Sequence, residues 1–145
     1  MRTRMVKIDP VRPEPELIQE AATLLRRGGL VAFPTETVYG LGANLEDPQA
    51  ITELYTVKAR PFEKQATLHL GDRAGLAAFE LEIPPLAETL MDRFWPGPLT
   101  LVLRHQDGRR LGFRVPKHPV AQALLLQAKV PVIAPSANLS GQPPP

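Results

Sequence analysis

The sequence contains no cysteine. This excludes disulfide scaffolds, thiolate zinc sites, iron–sulfur clusters and a cysteine nucleophile, and it makes a cytoplasmic address the default expectation. No apolar run approaches the roughly 20 residues that a membrane helix needs, so no membrane association is expected. The Arg-rich stretch from Met1 to Pro10 lacks an apolar core, so it is not expected to be a secretory signal. Neither charge dominates: 17 Lys plus Arg face 15 Asp plus Glu, leaving a net charge of +2. That is far from the basic imbalance of a dedicated nucleic-acid coat. Asparagine is scarce, at Asn44 and Asn138 only, and 12 of the 17 cations are Arg. The pattern fits a thermophile or a GC-rich genome equally well.

What is abundant is proline, with 17 among 145 residues. The 43% apolar and 22% charged composition is that of an ordered globular chain, and the length suits one domain with one sizeable core. Helical and extended patterns alternate. Helices are expected over 15–27, with Leu17, Ala21, Leu24 and Leu25 on one face and Gly28-Gly29 as the stop. Others are expected over 48–55 (capped by Asp47), 72–79, 85–94 and 118–129. Short apolar strands are expected over 30–33, 67–70, 100–104, 112–115 and 132–134. This alternation predicts an α/β domain whose sheet is covered by helices. Neither G-x-G-x-x-G nor G-x-x-x-x-G-K-[ST] occurs, so neither common phosphate loop is present.

Three polar segments follow strand ends, where ligands gather in α/β sheets. Residues 34–42 run Pro-Thr-Glu-Thr-Val-Tyr-Gly-Leu-Gly; Thr35 is either a turn former or part of a hydroxyl-lined floor. Lys58 and Arg60 lie two apart. In an extended segment ending at Pro61 their side chains would converge on one anion such as phosphate; otherwise they are a solvated pair. Residues 134–141 carry Ser136, Asn138 and Ser140 at alternate positions, either as a helix cap or as donors to phosphate and ribose. Arg114 sits among apolar neighbours and needs a partner, either a protein carboxylate or a substrate carboxylate. His69, between Leu68 and Leu70, reads more readily as a satisfied core residue than as a base. The three His have no carboxylates at metal-ligand spacing, so no protein-held metal is expected.

The ordered set Phe-Pro-Thr-Glu-Thr-Val-Tyr-Gly-Leu-Gly (33–42), Lys-Ala-Arg-Pro (58–61), Phe-Trp-Pro-Gly-Pro-Leu-Thr (94–100), Phe-Arg-Val-Pro-Lys-His-Pro (113–119) and Ala-Pro-Ser-Ala-Asn-Leu-Ser-Gly (134–141) resembles the YrdC-like family of threonylcarbamoyl-AMP synthases. The resemblance spans about residues 15–141. It implies a twisted mixed sheet covered by helices around a concave ligand cavity. It also implies conversion of L-threonine, bicarbonate and ATP, with its Mg²⁺, into L-threonylcarbamoyladenylate and pyrophosphate, for tRNA modification by downstream transfer proteins. By motif, Lys58, Arg60, Lys64, Ser136 and Asn138 would hold ATP. Thr35, His69, Arg114 and the backbone at Ala134 would hold L-threonine. No general base is evident, so catalysis by positioning and electrostatics is expected. Gln65-Ala66 stand where the family usually has Pro-Leu. Family members typically run some tens of residues past the last motif, so a single YrdC-like domain over 1–145 lacking that segment is expected. The alternative reading is an inactive or truncated paralogue that binds nucleotide, or RNA weakly.

Overall fold

The computed structural model describes residues 2–145. In chain order the elements are α1 (Pro15–Arg26), β1 (Val31–Phe33), β2 (Gly40–Asn44), α2 (Pro48–Lys58) and β3 (Leu68–His69). A short 3-10 helix (Arg73–Ala78), β4 (Leu81–Glu82), α3 (Pro85–Phe94), β5 (Leu101–His105), β6 (Arg110–Arg114), α4 (Pro119–Ala128) and β7 (Val132–Ile133) follow.

Part of the proline excess is explained by the helix starts. Each of the four α-helices begins on a proline: Pro15, Pro48, Pro85 and Pro119. There the missing N–H would have had no intrahelical partner, and the fixed φ suits the first turn. Asp47 caps α2 as expected, accepting from the amides of Gln49 and Ala50. His118 caps α4, its ring accepting from Val120 N–H. Helix α1 stops where Gly28 takes φ of 90° and Gly29 N–H reaches back to the Leu24 carbonyl at 2.8 Å.

Seven strands form one mixed sheet in the order β1-β2-β7-β3-β6-β5-β4. Among the described residues only β3 and β6 pair in parallel; the other ladders are antiparallel. Directly paired residues share a sheet face. Leu68, Phe113 and Ile133 therefore point one way, into a core shared with Leu54 of α2 and Met91 of α3. Val132, with Phe33 and Ala134, packs on the other face beneath α1 and α4. Burying one such side chain contributes about 2–3 kcal/mol relative to exposure. His69 and Arg114, paired in register, lie on this second face, since His69 is also paired with Val132.

Three expectations change. The buried face of α1 is Ile18, Ala22 and Leu25, while Leu24 is 48% exposed. The stripe is thus rotated from the one expected, because α1 docks on α4 and not on the sheet alone. The segment 34–42 is not all loop: Gly40–Asn44 is a central strand paired on both sides. Its glycines are poor strand formers but leave room for Phe33; a Cβ at Gly42 would lie 3.0 Å from the ring. The segment expected as a helix over 72–79 is the 3-10 turn Arg73–Ala78.

Candidate functional site

The central strands bring separate stretches of chain edge to edge. Ala134 N–H donates to the Thr67 carbonyl (3.1 Å), Leu70 N–H to the Arg114 carbonyl (2.9 Å) and Leu41 N–H to the Pro135 carbonyl (2.8 Å). Gly40 bridges Ser136, and Ala137 N–H donates to the Tyr39 carbonyl. A cavity of about 210 Å³ opens where these segments meet. Six of the nine residues singled out in the sequence line it: Thr35, Arg60, His69, Arg114, Ala134 and Ser136. Lys58, Lys64 and Asn138 do not.

Thr35 does both things its sequence context suggested. Its hydroxyl donates to the Val38 carbonyl at 2.6 Å and accepts from Thr37 N–H at 3.2 Å, closing the turn after β1. The same residue lines the cavity.

Arg114 finds a protein carboxylate. It forms an ion pair with Glu36, and its Nε donates to the Gly97 carbonyl at 3.3 Å. The other oxygen of Glu36 accepts from Lys117 N–H at 2.8 Å. Gly97 N–H in turn donates to the Val115 carbonyl at 2.8 Å, and the Trp95 indole donates to the Leu99 carbonyl at 2.8 Å. The Trp-Pro-Gly-Pro turn, which contains a cis Trp95–Pro96 bond, is therefore architecture that holds the guanidinium from behind. Nη1 of Arg114 has no protein partner among the described residues and belongs to a side chain that lines the cavity.

His69 is buried, its ring edge-to-face with Phe33 at 6.3 Å. Nδ1 lies 3.1 Å from the Thr67 carbonyl, which fixes that nitrogen as the donor and leaves Nε2 an acceptor. Burial is the main cause that pushes its pKa down to about 4. The Thr67 contact and Glu36 oppose the shift and Arg114 adds to it. The ring is neutral near pH 7, an acceptor beside a cation and not a second cation.

Lys58 and Arg60 do not converge as an extended segment would make them. Lys58 is the last residue of α2, and Ala59 takes the left-handed conformation (φ 52°, ψ 40°). The two side chains part. Lys58 is 3% exposed and its ammonium donates to the carbonyls of Ser136 and Asn138. Burial first, and the Arg60 charge second, lower its pKa. Arg60 donates from Nε and Nη2 to the carbonyls of Lys64 and Gln65, at 3.2 and 2.8 Å, and lies over the Tyr55 ring. Tyr55 stacks on Phe62 and donates its hydroxyl to the Lys64 carbonyl. Arg60 thus reaches the cavity on a braced arm with Nη1 unengaged by protein among the described residues.

Lys64 is exposed; its carbonyl, not its ammonium, serves this bracing. Asn138 turns its amide NH₂ to the carbonyls of Leu139 and Gln142, both at 2.9 Å. Its Oδ1 and the Ser140 hydroxyl are buried without a partner among the described residues.

Residues outside those nine also belong to the site. Thr67 and Thr100 line the cavity, and Glu36 completes Arg114. Thr67 was legible by alternation, since it shares a face with His69. Glu36 was not, because its partner lies 78 residues away. Among the described residues no group of three or more His, Cys, Asp or Glu is placed to hold a metal. No helix of the described residues is long and apolar enough to cross a membrane.

Comparison with known proteins places this arrangement. The Sua5_yciO_yrdC family model, described as "Telomere recombination", matches residues 23–145. Threonylcarbamoyl-AMP synthase of Bacillus subtilis is 45% identical over 138 residues, covering 88% of this chain and 40% of the relative. That of Pyrococcus abyssi is 43% identical over 137 residues, with the same coverage. The crystal structure of P. abyssi Sua5 complexed with L-threonine superposes with a TM-score of 0.87 at 43% identity, over 92% of this chain and 42% of that one. The chain thus spans about 40% of the length of these curated relatives. The family model covers most of the chain, and the fold matches a Sua5 structure: the chain belongs to the Sua5/YciO/YrdC family.

Proposed function

We propose that this chain carries the threonylcarbamoyl-AMP synthase activity named in its relatives. The observation that carries the proposal is the meeting of Thr35, His69, Arg114, Arg60 and Ser136, from five separate stretches of sequence, around one cavity. The P. abyssi relative solved with L-threonine supports the amino-acid half of the reading.

The threonine amine reacts with bicarbonate to give a carbamate and water. A carbamate oxygen attacks the α-phosphorus of ATP, and pyrophosphate leaves. In this reading Arg114 Nη1 takes the amino-acid carboxylate, and Thr35 and the acceptor Nε2 of His69 take its hydroxyl. Arg60 offers Nη1 to the phosphates as charge builds on the leaving group. Ser136 and the adjoining backbone wall the cavity. Mg²⁺ enters as part of the substrate, on the ATP phosphates. The product would pass to transfer proteins that act on tRNA.

The test is incubation with ATP, Mg²⁺, bicarbonate and labelled L-threonine. Pyrophosphate release that requires both threonine and bicarbonate, with adenylate formed, is expected. Arg60→Ala should lower it by about 10²-fold or more, the usual effect of losing a charge-stabilising donor. ATP or threonine binding with no adenylate formed would overturn the proposal.

A further inference from the structure

The ammonium of Lys58 is not directed at the cavity. It is directed at the main chain of the 136–140 segment, whose first residue, Ser136, lines the cavity. Nζ donates to the carbonyls of Ser136 and Asn138, and the carbonyl of Lys58 accepts from Ser140 N–H at 2.8 Å. One residue at the end of α2 therefore grips alternate positions of 136–140 from both its side chain and its backbone. Its first two residues are also tied to Tyr39 and Gly40, but from Asn138 to Ser140 the hydrogen bonds to the rest of the fold, among the described residues, are those of Lys58. Asn138 Oδ1 and Ser140 Oγ are the two buried side-chain polar atoms left without a partner among the described residues. A cationic side chain at a helix C-terminus is also favoured there by the helix dipole.

We infer that Lys58 is a positioning residue: it staples the 136–140 segment to the end of α2, so that the wall of the cavity exists before any ligand arrives. Two motifs separated by 78 residues are thereby one mechanical unit, and Arg60 alone of the Lys-x-Arg pair faces the ligand. This goes beyond the activity proposed above and its main test does not depend on it.

The decisive measurement is amide hydrogen exchange on the ligand-free protein. In Lys58→Met the Ser140 amide should lose at least tenfold in protection, although its own acceptor, a backbone carbonyl, is still there. The amides of α1, α4 and β5 should keep theirs. Lys58→Arg, which can still donate to both carbonyls, should restore most of the loss. Unchanged Ser140 protection in a folded Lys58→Met protein would overturn the inference. Should that variant not fold, the wild-type protein decides: the Lys58 ammonium protons should exchange slowly with water without ligand, and free exchange would overturn the inference.

A second arm rests on the nucleotide reading. A lysine that touches phosphate contributes to the salt dependence of ATP affinity, whereas a staple does not. Lys58→Met should weaken ATP binding while leaving that dependence parallel to wild type; a flattened dependence would overturn the inference. If the wild type binds no ATP, the proposed function fails and the exchange result still stands.

Discussion

Arg114, at the end of β6, is ion-paired with Glu36 from the turn after β1, and the two side chains are only 13% and 22% exposed. The pair ties the turn after β1 to the end of β6, and Glu36 also holds Lys117 N–H just beyond β6. Removing one partner leaves a charge without compensation in a half-dry site. Glu36→Gln should therefore destabilise the fold by about 2 kcal/mol, below the roughly 3–5 kcal/mol of a fully buried pair. Denaturant unfolding measures it. Combining it with Arg114→Met should cost less than the sum of the single changes, the mark of a coupled pair. Additive costs would show that the two charges are solvated separately.

His69 makes stability depend on pH in a defined window. Burial lowers its folded-state pKa from 6.5 to about 4. Between these values the unfolded chain takes up a proton that the folded chain refuses. Stability is thus full above pH 6.5 and falls as the pH drops towards 4, by about 3 kcal/mol in all. His69→Gln should flatten unfolding free energy measured across that window, since the amide has nothing to titrate. NMR titration of the ring should place its midpoint well below 6.5. A midpoint near 6.5 would mean that water reaches the ring.

Much of this architecture was readable before folding. Gly28-Gly29, Asp47 and the apolar runs 132–134 and 100–104 mark local rules, and local rules act within a few residues. What the sequence concealed was decided by tertiary contact. Gly40–Asn44 looks like a loop because two glycines spoil its strand propensity; the Phe33 ring, close to both glycines, explains them. Convergence of Lys58 and Arg60 is plausible from sequence because Pro61 favours an extended residue before it. Helix α2 instead runs three residues past the expected end at Tyr55, and the left-handed Ala59 turns the two cations apart. The site residues were legible as residue types in motifs, whereas their division of labour, with Glu36 behind Arg114, depends on contacts 78 residues apart.

Gly97 occupies the turn that supports Arg114, and its value is spatial. A Cβ there would lie 2.3 Å from the Phe94 carbonyl oxygen, a backbone atom that cannot step aside alone. Its own carbonyl and N–H are committed to Arg114 and Val115. Gly108 offers a contrast within the same chain: its φ is +93°, yet a Cβ there would meet nothing within 4 Å. Strain at Gly108 is confined to one backbone angle in an exposed hairpin, so Gly108→Ala should cost about 1 kcal/mol. Gly97→Ala must move the turn, and with it a hydrogen bond to Arg114, so it should cost about 3 kcal/mol. Thermal and denaturant unfolding of the two variants measure the difference. Equal costs would mean that the turn yields freely, and Arg114 would then be held by Glu36 alone.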